Sequence, residues 1–276
     1  ADSLRDFGFS KDGKFKEVQV VLGLLIDCEG RPVGYELFPG NTFDGKTLEK
    51  ALDKLERRFG LRQVIIVADR GINSKLNLKR IRDRNYGYIL AARLKNMGRK
   101  IEASVFDPEG YITLNDSPED ELRYKVIDYL NSFREEGETY KLKEKLILTY
   151  SSKRAKKDRE DRERLKEKAQ LLLQNQSKIT ASNKRGGKKY LKNTSQETWY
   201  LDEEALSRDE QFDGYYAIET SEQDINPQAA LAAYHTLWKI EESFRIMKST
   251  LEVRPIFHWT ENRIKGHFVI CFLAFL

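Results

Sequence analysis

Between residues 18 and 94 the hydrophobic period switches repeatedly from two to about 3.6, and this alternation limits the fold more than any other feature. "VQVVLGLLID" (18–27) and "VGYELF" (33–38) are β-branched and aromatic runs joined by "CEGRP", a turn composition, so they predict an antiparallel hairpin. In "KTLEKALDKLERRF" (46–59), Leu48, Leu52, Leu55 and Phe59 recur at helical spacing. "RQVIIVADRG" (62–71) is a buried strand that ends on Asp69, "NSKLNLKRIRDRN" (73–85) a second helix, and "GYILAARL" (87–94) another strand. The order β-β-α-β-α-β predicts an α/β layer structure with Asp69 at a strand end.

The chain has 276 residues, enough for one large domain or a domain with a sizeable insertion. From residue 98 to 215 the texture turns charged and turn-rich, and this stretch reads as an insertion subdomain between core segments 1–97 and 216–276. It holds two strand-like runs, "KLILTYSS" and "YYAIETS". It also holds a charged helix and "NKRGGKKYLKN" (183–193), with five basic residues and no acidic one. Over residues 153–168 nine basic and five acidic residues alternate, which predicts a self-paired, solvated helix. Lys and Arg total 49 against 44 acidic residues, so placement of charge matters more than the sum. Cys28 and Cys271 sit in apolar runs without metal-type spacing and read as buried free thiols in a reducing cytoplasm. No apolar run has membrane-spanning length. The last residues, "GHFVICFLAFL", stop inside an apolar helical pattern, which reads as a fragment.

In "YHTLWKIEESFRIMK" (234–248), Tyr234, Glu241 and Lys248 are spaced by seven. On a regular α-helix seven residues turn through about 700°, so the three would share a face over roughly 21 Å, with Glu242 about 100° away. The bland alternative is a solvated stripe, with Glu242 as a salt-bridge residue. Trp238 and Phe244 read as core anchors, and Arg245 as a salt-bridge partner or a phosphate contact. Asp44 reads as a helix cap and Asp27 as a turn residue.

This stretch resembles the Y-x2-R-x3-E-x6-K signature of the DDE transposases of bacterial insertion sequences, in the group named for insertion sequence four. Leu237 stands where that signature has Arg. "LRDFGFSKDGK", "VVLGLLID", "GYELFPGNTFDGKTL" and "IIVADRGINSKLNL" are similar, in order and spacing, to the core of the same enzymes. The resemblance implies an RNase H-like fold with a mostly β insertion before the Glu helix. Asp69 and Glu241 would be the second and third catalytic carboxylates, holding two Mg²⁺ or Mn²⁺ ions. The first Asp is expected upstream on a central strand, since Asp2 and Asp12 lie in no strand pattern. The strand over 18–27 and the strand ending at Asp69 should therefore not be hydrogen-bonded to one another.

Hard oxygen ligands suit those ions, and paired ions suit phosphodiester hydrolysis and strand transfer. His235, His258 and His267 show no ligand pairing. The resemblance further gives Tyr234 and Lys248 to DNA phosphates and makes Trp199 a candidate for receiving a flipped base. Lys188 and Lys189, in the basic stretch, suit backbone contact with DNA. The implied partners are double-stranded DNA, as terminal inverted repeats and target, and a second copy of the chain in the synaptic complex. The implied location is the bacterial or archaeal cytoplasm, at the nucleoid. Two rivals are a domesticated, non-catalytic DNA-binding protein and another RNase H-like nuclease.

Overall fold

The structure, a computed structural model, describes residues 4–8, 17–42, 47–60, 64–117, 119–135, 137–175, 179, 186–193 and 198–276, without the side chains of residues 54, 55 and 135. Asp2, Asp12 and Asp44 lie outside the described residues. The chain divides into two compact units, the first made of residues 1–92, 128–145 and 218–276, the second of 93–127 and 146–217.

The first unit begins with a three-stranded antiparallel sheet of β1 (Asp6–Phe7), β2 (Val18–Ile26) and β3 (Pro32–Pro39). The β2–β3 hairpin runs in register from Val20 opposite Pro39 to Leu25 opposite Gly34, as the sequence predicts. Asp27 serves its turn: Oδ1 accepts from the backbone N–H of Glu29 and of Arg31, both at 2.9 Å. Cys28 in this turn is exposed, which corrects the expectation of a buried thiol, because the apolar run ends before it. Cys271 is buried.

Two glycines let β1 and the end of β3 touch. A Cβ on Gly40 would stand 2.2 Å from the Gln19 carbonyl oxygen and 2.3 Å from that of Asp6, and one on Gly8 would stand 2.0 Å from the Gly40 oxygen.

Helix α1 (Thr47–Phe59) then leads to β4 (Ile65–Ala68), α2 (Lys75–Asp83) and β5 (Gly87–Ala91), in the order read from the periodicity. β4 and β5 are parallel, with Ile65 opposite Gly87 and Ala68 opposite Leu90. Leu48 and Leu52 of α1 and Leu78 and Ile81 of α2 bury against Ala68, Tyr86, Tyr88 and Leu90. Phe59, the fourth residue of the α1 stripe, is 47% exposed, since it is the last residue of its helix.

All five residues of β5 are buried, consistent with a strand flanked on both sides. Its second neighbour is β11 (Tyr215–Thr220), antiparallel, with Ile218 opposite Ala91. The first-unit portions of β8 (Glu138–Ser151) and β7 (Leu122–Glu135) follow β11 in that sheet. β2 and β4 belong to different sheets and are not paired, as expected.

Helices α6 (Pro227–His235), α7 (Trp238–Arg245) and α8 (Glu261–Phe275) complete the first unit. Pro227 at the start of α6 is favoured where a backbone N–H has no partner, and the Asn226 side chain caps the same turn. α6 packs on β4 and β5, and α7 on β2. A second core forms where Leu24 of β2 meets Met247, Val253, Ile264, Phe268 and Cys271. Tyr35 packs against Phe272 there, with ring centroids 5.0 Å apart.

The second unit holds α3 (Arg99–Phe106), β6 (Ile112–Asn115), α4 (Ser152–Gln174), a 3₁₀ turn Gly186–Tyr190, β9 (Leu191–Asn193), β10 (Trp199–Leu201) and α5 (Glu203–Gln211). Its core is Ala169, Tyr190, Leu191 and Leu206, with Trp199 half-buried against them. Helix α4 is only partly self-paired. Arg164 meets Asp161 at 2.7 Å, but Arg162 is buried and pairs with Asp213 beyond the helix. Among the described residues no helix is long and apolar enough to cross a membrane.

Candidate active site

Asp69 directly follows β4, at the carboxyl end of a parallel strand pair, the edge where open α/β sheets usually present ligands. It is exposed, and its Oδ1 accepts from the Gly71 N–H at 2.7 Å. The segment behind it is tied down by amides. Asn73 Nδ2 donates to the Ala91 carbonyl at 2.9 Å and to Glu219 Oε2 at 3.4 Å. Buried Asn77 donates to the Ile72 carbonyl at 3.0 Å, while its own N–H is capped by Ser74 Oγ at 3.3 Å. The far end of the loop that carries Asp69 is thus tied to β5, β11 and the first turn of α2.

The Tyr234–Lys248 row does not lie on one regular helix, which corrects the continuous helix expected from the spacing. Helix α6 ends at His235, and the next turn is tightened by N–H donations three residues back, from Leu237 to Tyr234, Lys239 to Thr236 and Ile240 to Leu237. α7 then passes into a π turn, Ile246–Thr250, whose Leu251 N–H reaches the Ile246 carbonyl at 3.0 Å. A 3₁₀ step turns further per residue than an α step, so the 700° argument does not carry across this junction. Tyr234 stands on α6, Glu241 on α7 and Lys248 in the π turn.

The two adjacent glutamates differ in their partners. Glu242 accepts an ion pair from Arg245 at 2.7 Å, one turn along α7. Glu241 is exposed, and among the described residues its carboxylate has no hydrogen bond or ion pair. Lys248 is exposed, its ammonium 5.6 Å from the centre of the Phe244 ring, and Tyr234 is half-buried. Phe244 packs into the second core as expected, whereas Trp238 is 58% exposed. It opens α7, next to the tightened junction, and so is not the core anchor that the spacing implied.

Lys188, Lys189 and Trp199 belong to the second unit. Lys189 and Tyr190 converge on Asp209 with Lys95, which donates at 2.6 Å; the Tyr190 hydroxyl donates at 2.7 Å. Burial pushes the Asp209 carboxyl up, but the bonds from Lys189, Lys95 and Tyr190 outweigh it and hold the group at about 2.

Behind the Asp69 loop lies a buried polar cluster that sequence reasoning missed. Glu144 of β8 is 1% exposed and Glu219 of β11 is 3% exposed. The Tyr88 hydroxyl and, at 3.5 Å, Asn131 Nδ2 donate to Glu144 Oε1, and the Glu144 and Glu219 carboxyls lie close enough to influence each other's protonation, while among the described residues no other group reaches Glu144 Oε2 or Glu219 Oε1. Burial, joined by the Glu219 charge, pushes the Glu144 carboxyl up to about 8 against the opposing bonds from Tyr88 and Asn131. Burial likewise raises Glu219 and the Tyr88 hydroxyl. The pair therefore holds a proton at neutral pH. The available signal was a carboxylate inside each apolar strand run, "KEKLILTY" and "YYAIET".

Among the described residues no group of three or more His, Cys, Asp and Glu side chains is placed to hold a metal ion. His258 and His267 contact each other edge to face, with centroids 5.6 Å apart, and His267 Nε2 lies 3.1 Å from the Val253 carbonyl. No curated protein matches the chain. The transposase DDE domain family matches residues 6–276, nearly the whole sequence. A match of this extent leads to one identification: the chain belongs to the transposase DDE domain family.

Proposed function

We propose that the protein is the catalytic region of a cut-and-paste transposase of the insertion-sequence-four type, which cuts one strand at each transposon end and directs the freed 3′ hydroxyl at target DNA. The observation that carries this reading is the contrast on α7. Among the described residues Glu241 keeps a free carboxylate while its neighbour Glu242 is occupied by Arg245.

Asp69 and Glu241 would hold Mg²⁺ or Mn²⁺. Both are exposed carboxylates, and hard oxygen donors are what these ions prefer. When bound, a pair of such ions supplies charge neutralisation at the attacking and leaving oxygens of a phosphodiester. The chain's own residues do the positioning. Gly71 N–H fixes one Asp69 oxygen and leaves the other for a ligand. Lys248, Tyr234 and the remaining donors of Arg245 would hold phosphates of the strand being cut. Lys188, Lys189 and Trp199 are proposed DNA contacts of the second unit.

An RNase H-like core is the reading behind this assignment. In that fold a central strand lies between the second and fourth strands, and here β2–β3 and β4–β5 form separate sheets. The resemblance to these transposases supports a homodimer paired on two DNA ends, in the cytoplasm at the nucleoid. The rival of a retained but non-catalytic DNA-binding fold draws on Leu237, a half-buried aliphatic residue where the signature has Arg.

The deciding experiment is Mn²⁺-dependent nicking of transposon-end DNA by the full-length protein. Glu241→Gln and Asp69→Asn are expected to lower the rate at least about a hundredfold, and Glu242→Gln by less than about threefold. Equal activity in Glu241→Gln and Glu242→Gln, or none in the wild type, would favour the non-catalytic reading.

A further inference from the structure

Between the π turn and α8 the chain runs without helix or strand, yet it is braced. Val253 is buried, Ile256 packs into the same core, and the Val253 carbonyl meets His267. From residue 256 to 259 the side chains alternate: Ile256 and His258 are partly buried, Phe257 and Trp259 face out. The outward pair is 79% exposed at each position, the highest exposure of any large hydrophobic side chain among the described residues. Arg5 completes the arrangement. Its Nη1 donates to the His258 carbonyl at 3.1 Å, and its guanidinium carbon lies 4.2 Å from the centre of the Trp259 ring.

Holding two aromatic rings in water returns nothing to folding, and a fixed, exposed aromatic pair normally marks a recognition surface. The occupant must offer flat π surfaces and negative charge. Two aromatics at i and i+2 on an extended segment present their rings on one side, as successive stacked bases would require. Arg5 lies against Trp259, while Arg254 and Arg263 flank the segment; of the acidic neighbours Glu252 and Glu261, the latter is already engaged by Lys265 at 2.5 Å. The local excess is positive and suits a phosphate backbone.

We propose that Phe257 and Trp259, with Arg5 behind the indole, form a stacking platform for unpaired bases of a DNA strand. This rests on the reading of the protein as a DNA-processing enzyme, but on none of its catalytic residues. Duplex bases are already stacked on one another, so the platform takes bases from a frayed or opened end.

The test is equilibrium binding of a labelled oligothymidine by the full chain without metal, followed by anisotropy and by quenching of tryptophan emission. Trp259→Ala and Phe257→Ala are each expected to weaken binding about tenfold, with an unchanged melting temperature. Trp259→Phe should keep most of the affinity but lose most of the quench, which separates stacking from misfolding. Affinity within twofold of wild type in both folded alanine variants overturns the proposal. So does a change confined to binding of anionic phospholipid vesicles or to self-association in gel filtration. This assay reads metal-free binding, whereas the catalytic assignment is read by Mn²⁺-dependent nicking, so a failed platform and a failed catalytic assignment give different results.

Discussion

Glu144 and Glu219 show how one proton can matter to a loop that neither residue belongs to. Glu219 receives the Asn73 amide, and Asn73 lies four residues beyond Asp69, so the charge state of the pair bears on the loop that carries Asp69. The folded pKa of Glu144, about 8, lies above the ordinary glutamate value of about 4.3. Below the lower value both the folded and unfolded chains hold the proton, and the pair's contribution to stability is complete. As pH rises from that value towards about 8 the unfolded chain gives up its proton while the folded chain keeps it, so stability falls across this window and levels off above it. Melting temperature should therefore drop by roughly 5 °C or more between pH 5.5 and 8.5. Glu144→Gln replaces the acid O–H by an amide N–H and should flatten that slope; parallel slopes in the two proteins would sink the assignment. The cluster was not legible in the sequence because its members come from five separate segments, whereas Asp69 was legible because a strand pattern stops at it.

Among elements, the hairpin and the β-α-β-α-β run follow from local periodicity, since each buries a face that its own spacing defines. The break between α6 and α7 does not. Neither glycine nor proline stands at Thr236–Leu237, and the tightened turn comes from how two short helices pack on different strands, α6 on β4 and β5, α7 on β2. Trp238 was misplaced for the same reason. β1 illustrates a backbone demand that composition understates, because Gly40 is a close-approach position as well as a turn residue. Gly40→Ala is expected to cost about 1–3 kcal/mol in urea unfolding, because the new Cβ has only backbone oxygens to push against. An unchanged midpoint would mean that β1 does not hold this position against β2 and β3 in solution.

At the scale of the molecule, charge is spent on architecture as much as on partners. Asp209 gathers Lys95, Lys189 and Tyr190, and buried Arg162 pairs with Asp213, so these three cations of the second unit already carry an ion pair, and Lys189 would meet DNA only with its remaining donors. Asp209→Asn should destabilise the protein by about 2 kcal/mol, read as lost hydrogen-exchange protection in α5 and the 3₁₀ turn. Because its carboxyl is held at about 2, this contribution is present above the ordinary aspartate value and is lost as pH falls through 2. Undiminished protection in the variant would reduce the hub to a surface contact. The separation of β2 from β4 has a further consequence. Among the described residues, β2 beyond Gln19 and the whole of β4 each show one side with no strand bonded to it. Unbonded strand sides are templates for any extended segment that arrives, including one from another molecule of the same kind. In a concentrated sample of residues 1–276 alone, strand addition between molecules at these seams is expected, and a short peptide that occupies one of them should slow it.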